Sequence, residues 1–512
     1  MFVVKNLSII HKKDLRPLIQ DLSFSISIGE RIAVIGEEGN GKSALLRAIA
    51  CPDTLESWAI VTGQVHTGGE VIAYLPQETH AFQGSIYDFC AADPAFLSSE
   101  WQDLASACRL LRLDPSLPYE ARDLHTLSGG EKVRLSLMLC MLKKPSMLLL
   151  DEPGNDLDLD AMKALETLLL ESGLPALFVS HDEALLTRCA TGILHLESLY
   201  GRTQPRASLH REGYAAYMQS RRETLIRQEQ QYMNDRRQEQ IREEKFRRIE
   251  QAVASAQEKI SRQDPHGGRL LKKKMKSVKS LEHRYAREKK DLTQRPYEEY
   301  AIHLTWNPHP PLPAGKEAVS VSLPLLQAGS RVLARNIALH MRGNEKVLLI
   351  GPNGCGKTTL LHWILAHPDT THALRVGCMH QQYTETLKDS LSPLVFLCPN
   401  GDKETLTRVR LTLGSLKMTR EETMHPLSDL SGGQRAKVLL LSLVLQDPDL
   451  LVLDEPTRNL SPLSAPMIRD LILQFPGPIL CTTHDRTLMH MWPGRILRLT
   501  EEGLVSAEVA IP

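Results

Sequence analysis

Two octapeptides in this 512-residue chain repeat one spacing of glycine, lysine and hydroxyl residues: GEEGNGKS at residues 36–43 and GPNGCGKT at residues 351–358. The first follows the apolar run IAVI and precedes the helix-favouring ALLRAIA. A GxxxxGK[ST] loop between strand and helix turns its backbone N–H groups toward a polyphosphate, and the helix N-terminus adds partial positive charge. The expected cradle is Gly36, Gly39, Asn40, Gly41, Lys42, Ser43 and Ala44 in the first copy. In the second it is Gly351, Asn353, Gly354, Cys355, Gly356, Lys357, Thr358 and Thr359. Lys42 and Lys357 would reach the β/γ-phosphates, with Ser43 and Thr358 as Mg²⁺ ligands.

Acidic chemistry recurs in the same order. MLLLDEP at residues 147–153 and LLVLDEP at residues 450–456 read as buried parallel strands, each delivering an acid to its C-terminal end. Asp151 and Asp454 would hold Mg²⁺, and Glu152 and Glu455 would orient and deprotonate the attacking water. Gln77 and Gln381, between phosphate loop and LSGG, are placed to sense Mg²⁺ or the γ-phosphate, although an isolated glutamine is ordinarily just polar surface. His181 and His484 each lie 30 residues after the strand-end aspartate, a matched placement that favours a γ-phosphate contact over a structural histidine. LSGGEKVRLSL at residues 127–137 and LSGGQRAKVLL at residues 430–440 offer Ser128, Gly129, Gly130 and Ser431, Gly432, Gly433 as a second anion-binding helix start. A domain with its own phosphate loop has no need of a second anion site, so the LSGG element suits the nucleotide of the other copy.

Positioning these groups requires two copies of one α/β domain, expected at residues 1–205 and 318–512, with a different segment at 206–300 and a connector at 301–317. The length alone exceeds what one hydrophobic core usually serves. Basic and acidic residues number 61 each, so attraction to a polyanion must come from charge distribution. The longest apolar runs, such as VLLLSLVL at residues 438–445, fall short of the roughly 20 residues of a membrane helix, and the start lacks signal-peptide order. The nine cysteines lack disulfide-framework or zinc spacing, which fits a reducing cytoplasm and buried small side chains.

The middle segment is polar and helix-prone. Met218, Leu225, Tyr232, Phe246, Val253 and Ile260 lie on one seven-residue ladder broken by Glu239, with Ile249 and Ala256 between them. Asp264, Pro265, His266, Gly267 and Gly268 make the expected turn, and Leu271, Val278, Tyr285 and Leu292 begin a second ladder. An antiparallel helical hairpin follows. Residues 262–290 carry eleven basic and three acidic side chains, net +8, while the whole chain nets zero. Arg269, Lys272, Lys273, Lys274, Lys276 and Lys279 are the expected RNA contacts. A solvated coiled-coil face is the alternative, but the KKKMK run at residues 272–276 has no acidic partners at helical spacing.

Together these motifs resemble the ATP-binding-cassette (ABC) ATPases, and tandem cassettes joined by a basic hairpin resemble the ABC-F group. The resemblance implies two cassettes closing head to tail on two ATPs, each phosphate loop sharing its nucleotide with the other copy's LSGG, with ATP and Mg²⁺ as cofactors. It implies a cytoplasmic monomer acting on a 70S-type ribosome, with the hairpin in the tRNA exit site near ribosomal RNA, P-site tRNA and the peptidyl-transferase centre. DEPTRNLSP at residues 454–462 resembles the subset giving resistance to lincosamide, streptogramin A and pleuromutilin drugs by ribosome protection. A general translation factor of the same group is the close alternative. A transporter ATPase subunit needs no basic hairpin, and chromosome-organising ATPases insert their coil within a cassette. Two departures stand out. The adenine-stacking aromatic is not evident, the nearest candidates being His11 and Leu325–Leu326, and Arg458, Asn459 and Ser461 replace the common Asn, His and Asp.

Overall fold

A computed structural model describes residues 2–69, 71–77, 82–154, 157, 159–199, 204–259, 273, 276, 280, 304–306, 312–329, 331–381, 387–399, 401–416, 418–430, 432–458 and 460–507. It divides into two compact units, Met1–Tyr214 with Glu299–Pro512, and Ala215–Glu298.

The first unit holds the duplication as fold. In the first cassette a six-stranded sheet runs Ile72–Leu75, Met147–Asp151, Ala176–Val179, Arg31–Ile35, Gly192–Leu199, Gln204–His210. In the second the same order reads Val376–Met379, Leu450–Asp454, Ile479–Thr482, Lys346–Ile350, Arg495–Thr500, Gly503–Ser506. All neighbours are parallel except the last pair of each sheet. Strands buried on both faces need apolar side chains at every position, which is why MLLL and LLVL show no alternation. Met147, Leu148, Leu149 and Leu150 are all 0% exposed. Each such side chain contributes about 1.5–3 kcal/mol on burial, which fixes the height at which Asp151 and Asp454 emerge.

Each cassette adds an antiparallel sheet. In the first, Phe2–His11 lies between Pro17–Ile26 and Ala59–His66. In the second, Glu317–Ala328 pairs with Arg331–Arg342. The strand through His210 keeps residues 206–210 in the first cassette's sheet, so the expected boundary at 205 falls inside a strand. The composition change that suggested it marks where the polar helix begins, after the sheet has ended. Beyond the hairpin segment, Trp306 Nε1 donates to the Leu471 carbonyl at 2.6 Å and meets Phe475 edge-on at 4.8 Å, so Leu304 and Trp306 pack on the second cassette's core. All nine cysteines are free thiols, six of them buried. Among the described residues no helix is long and apolar enough to cross a membrane.

The helix Tyr214–Lys259 has 46 residues and spans about 70 Å at ~1.5 Å per residue. Its half-buried positions include Met218, Arg221, Leu225, Gln228, Tyr232, Asp235, Glu239 and Phe246, a 3-4 alternation, whereas Ile226 and Met233 are exposed. Glu239, the break in the apolar ladder, stays in register and pairs with Arg236 at 3.3 Å. Ile249, expected on the seam, is exposed. The rest of the expected second arm and the turn at 264–268 lie outside the described residues, apart from helical, exposed Lys273, Lys276 and Ser280.

Candidate active site

Strand Arg31–Ile35 is the fourth in its sheet, and the chain leaves it through Gly36 (φ +150°), where an added Cβ would lie 2.2 Å from the Leu196 carbonyl. Only glycine passes so close to the neighbouring strand. Asn40 Nδ2 ties the loop to the same carbonyl at 3.1 Å, and Gly41 (φ +85°) starts the helix Lys42–Ala50. Lys42 Nζ donates to the carbonyls of Gly36 and Glu37 at 2.8 and 3.2 Å. The second loop repeats this: Gly356 (φ +105°) starts Lys357–Ala366, and Lys357 Nζ donates to Gly351 and Pro352 carbonyls at 2.8 and 3.1 Å.

Beside the first loop Ser43 Oγ donates to Asp151 Oδ1 at 3.0 Å, while Asp151 Oδ2 is buried without a hydrogen-bond partner. Burial first, and Glu152 next, push the Asp151 carboxyl up to about 6. A hydroxyl, a carboxylate oxygen in need of a partner and a group that favours a nearby cation make a donor set that fits Mg²⁺. In the second cassette Asp454 Oδ1 accepts from Thr482 Oγ1 at 2.5 Å and Oδ2 is likewise buried without a hydrogen-bond partner.

The two glutamates sit in left-handed backbone, φ +50° at Glu152 and +51° at Glu455. Such strain costs about 1–3 kcal/mol and persists where the surroundings hold it. Here the amides of Glu152 and Glu455 each donate to the next strand, Val179 and Thr482 carbonyls, both at 3.1 Å. The Glu152 carboxylate accepts from Gln77 Nε2 at 2.9 Å and lies 2.9 Å from His181 Nε2. Glu455 instead accepts from the His484 amide at 3.0 Å, with the His484 ring nitrogen at 3.5 Å. Burial pushes Glu455 up to about 7, partly offset by that amide.

Ser128 caps the helix Gly129–Leu142 in a capping box with Glu131. Two clefts then join phosphate loops to LSGG helices across the cassettes. One, of about 520 Å³, is bounded by Gly39, Lys42, Ser43, Ala44, Gln77, Glu152 and His181 with Gly432 of the second cassette. The other, of about 590 Å³, brings Asn353, Gly354, Lys357, Thr358, Thr359, Gln381, Glu455 and His484 against Gly129 of the first. Ser431, Asn155, Asp156, Asp158 and Asn459 lie outside the described residues, as do Arg269, Lys272, Lys274 and Lys279 of the expected hairpin.

Several groups at these clefts had no sequence signal. Glu38 Oε2 accepts from the Gly433 amide at 2.8 Å, so a carboxylate takes an anion position at the start of the second LSGG helix. Glu37 is buried against the second cassette, accepting from Ser461 and Ser464 hydroxyls at 2.5 and 2.6 Å with Lys437 at 3.4 Å. Burial alone would raise the Glu37 carboxyl, but Lys437, the two serines and Lys42 outweigh it and hold it below its ordinary value. His11, the adenine-side candidate from the sequence, and Trp58, which was not a candidate, have rings 5.9 Å apart and line the first cleft. At the second, Leu326 is core, 2% exposed, and the wall is Ala328, Arg331 and Leu333. Trp58 comes from a loop after the first helix, so linear spacing from the phosphate loop could not find it.

The ABC transporter family model matches residues 19–155 and 334–458. The tylosin resistance ATP-binding protein TlrC of Streptomyces fradiae is 30% identical over 550 residues, covering 96% of each chain. The ribosome protection protein VmlR of Bacillus subtilis is 26% identical over 501 residues, covering 95% of this chain and 85% of its own. In fold, the archaeal ribosome recycling factor aABCE1, solved with ribosomal stalk protein aP1, superposes with TM-score 0.59 at 16% identity, covering 98% of this chain and 90% of its own. With one match to the family model in each half, the chain belongs to the ABC ATPase family as a tandem-cassette ATP hydrolase of the ABC-F group.

Proposed function

We propose that the chain is a cytoplasmic, ribosome-binding ATPase that protects ribosomes from large-subunit antibiotics, its hairpin reaching through the tRNA exit site toward P-site tRNA and the peptidyl-transferase centre. The observation that carries this reading is similarity along almost the whole chain, linker included, to proteins named for tylosin resistance and ribosome protection. The long polar helix followed in sequence by a segment of net +8 supports it, because clustered Lys and Arg suit phosphate contacts. A second reading is a general ABC-F translation factor, since the chain is also similar to a relative whose name carries no resistance role, the ATP-binding protein Uup of Caulobacter vibrioides, 26% identical over 503 residues.

For hydrolysis, Lys42 and Lys357 would bind the β/γ-phosphates of ATP, and the LSGG amides of the opposite cassette would close over them. Ser43 with Asp151, and Thr358 with Asp454, would hold Mg²⁺, which when bound supplies charge neutralisation at the transferring phosphoryl group. Glu152 and Glu455 would take a proton from the attacking water as its oxygen bonds the γ-phosphorus and ADP leaves, with Gln77 and His181 orienting the first carboxylate. ATP would favour the closed pairing through contacts available only there, and hydrolysis would reverse it.

The test is a Glu152→Gln/Glu455→Gln chain sedimented through a gradient with ribosomes and ATP. Comigration that requires ATP is expected; protein remaining at the top with ATP present overturns ribosome binding. Drug susceptibility with and without expression, over tylosin, lincosamide, streptogramin A and pleuromutilin, separates the readings. Raised tolerance supports protection, and unchanged tolerance with ATP-dependent ribosome binding supports the general factor.

A further inference from the structure

Four charged side chains join the cassettes in a pattern the duplication makes readable; Glu183, Arg469 and Arg486 line the second cleft, and Glu166 lies behind them. Counted from the strand-end aspartates at 151 and 454, Glu166 and Arg469 are both fifteen residues on, and Glu183 and Arg486 both thirty-two on. These are equivalent positions of the two copies, and at both the charge is reversed. The contacts cross. Arg486 Nη1 donates to Glu166 Oε1 at 2.5 Å, and Arg469 Nη1 donates to Glu183 Oε2 at 3.0 Å. Two aspartates at matched positions complete the set: Asp182 accepts from Arg486 across the cassettes at 2.9 Å, and Asp485 accepts from Arg469 within the second cassette at 2.7 Å. Glu166, Arg469 and Arg486 are 6, 3 and 9% exposed, so water screens these charges little.

The pairing rule is therefore fifteen against thirty-two, twice. Two first cassettes paired this way would set Glu166 against Glu183 at both contacts, with the Asp182 carboxylates alongside. Two second cassettes would set Arg469 against Arg486, with the Asp485 carboxylates alongside offsetting the repulsion only in part. Buried like charges disfavour either pairing, whereas one cassette of each kind sets Arg469 and Arg486 each against a glutamate of the other. We propose that Glu166, Glu183, Arg469 and Arg486 form a pairing code by which each cassette accepts the other kind and rejects its own, so that the chain closes on itself and not on the matching half of a second copy. The hairpin tether, which keeps the complementary cassette at high effective concentration, then selects the same chain.

The matched aspartates make the code exchangeable. Placing Arg at 166 and 183 and Glu at 469 and 486 regenerates the same contacts with the cassettes' roles reversed. Arg188, which also pairs with Glu166 at 3.0 Å, has Met491 as its counterpart, so the complete exchange adds R188M and M491R.

The experiment uses full-length chains and ribosome-free ATPase activity with mass by light scattering, so its outcome is independent of the ribosome reading. E166R/E183R and R469E/R486E are each expected to lose at least about 100-fold in activity. Their equimolar mixture should regain activity at the mass of two chains, because each cassette then finds its complement on the other chain. The complete exchange should return to within about threefold of wild type at the mass of one chain. A mixture that stays inactive, an exchanged chain no better than its halves, or half-variants with wild-type activity each overturn the code. Should the reversed charges prevent folding, E183Q, R469Q and the double variant decide: the double should be no worse than the weaker single, and multiplied losses refute coupling.

Discussion

Replacing Glu37 by alanine tests how the first phosphate loop engages the opposite cassette. Its carboxylate takes two serine hydroxyls at 2.5 and 2.6 Å and faces Lys437 at 3.4 Å, all from the second cassette. Lys437 is 7% exposed, so E37A strands a cation in the interface. Removing one partner of a buried pair costs about 3–5 kcal/mol. At about 1.4 kcal/mol per decade, closure should weaken by roughly two to three and a half orders of magnitude. The phosphate cradle itself should survive, because the equivalent residue of the second loop is Pro352, which offers no polar side chain. Steady-state ATPase at saturating ATP reads the loss, and nucleotide binding to the E37A chain controls for it. Adding K437M removes the stranded cation, and E37A/K437M should recover at least tenfold over E37A. The charge also sets a pH sign. A carboxyl held below its ordinary 4.5 contributes fully above that value, and the contribution disappears as pH falls through the lowered one. E37A activity within twofold of wild type, or losses for E37A and K437M that add to within about 0.5 kcal/mol, would refute the coupling.

Two further outcomes are expected. In the Glu152→Gln chain, where Glu455 is the remaining base, ATPase activity should climb through a pH near 7, since burial holds that carboxyl up to about 7 and a base works deprotonated; a flat profile between about pH 6 and 8 counts against the assignment. Neutralising Lys272, Lys273, Lys274 and Lys276 to glutamine should weaken ribosome binding and lower the slope of log affinity against log salt by about 3 to 4, with ATP binding unchanged; an unaltered slope removes these residues from the RNA contact.

The amino-acid sequence was sufficient for everything that depends on local spacing or on repetition. Phosphate loops need glycine where backbone runs close to a neighbouring strand, as at Gly36, and buried strands need unbroken apolar runs, as at Met147–Asp151. Those demands fall on consecutive residues, and duplication states them twice, so the order of the motifs and the strand-end acids were readable in advance; the helix Tyr214–Lys259, in the unduplicated segment, was readable from its seven-residue ladder. The break at Glu239 was readable as well, but its continued register was not, because a polar residue paired with Arg236 leaves no apolar signal. Strand Gln204–His210 was missed for a similar reason: an edge strand of intermediate burial looks like the start of a polar linker. What only the tertiary structure decided lies between the cassettes. Glu37 reaches Ser461 across 424 positions of sequence, and Arg486 reaches Glu166 across 320. Glu37, Glu166 and Arg486 are unremarkable beside their own neighbours in the chain. Their meaning arises when two folded surfaces meet, since buried charges act over a few ångströms of space and carry no periodicity along the chain. The duplicated motifs specify two ATPase cassettes; the crossed charges specify which cassette each one meets.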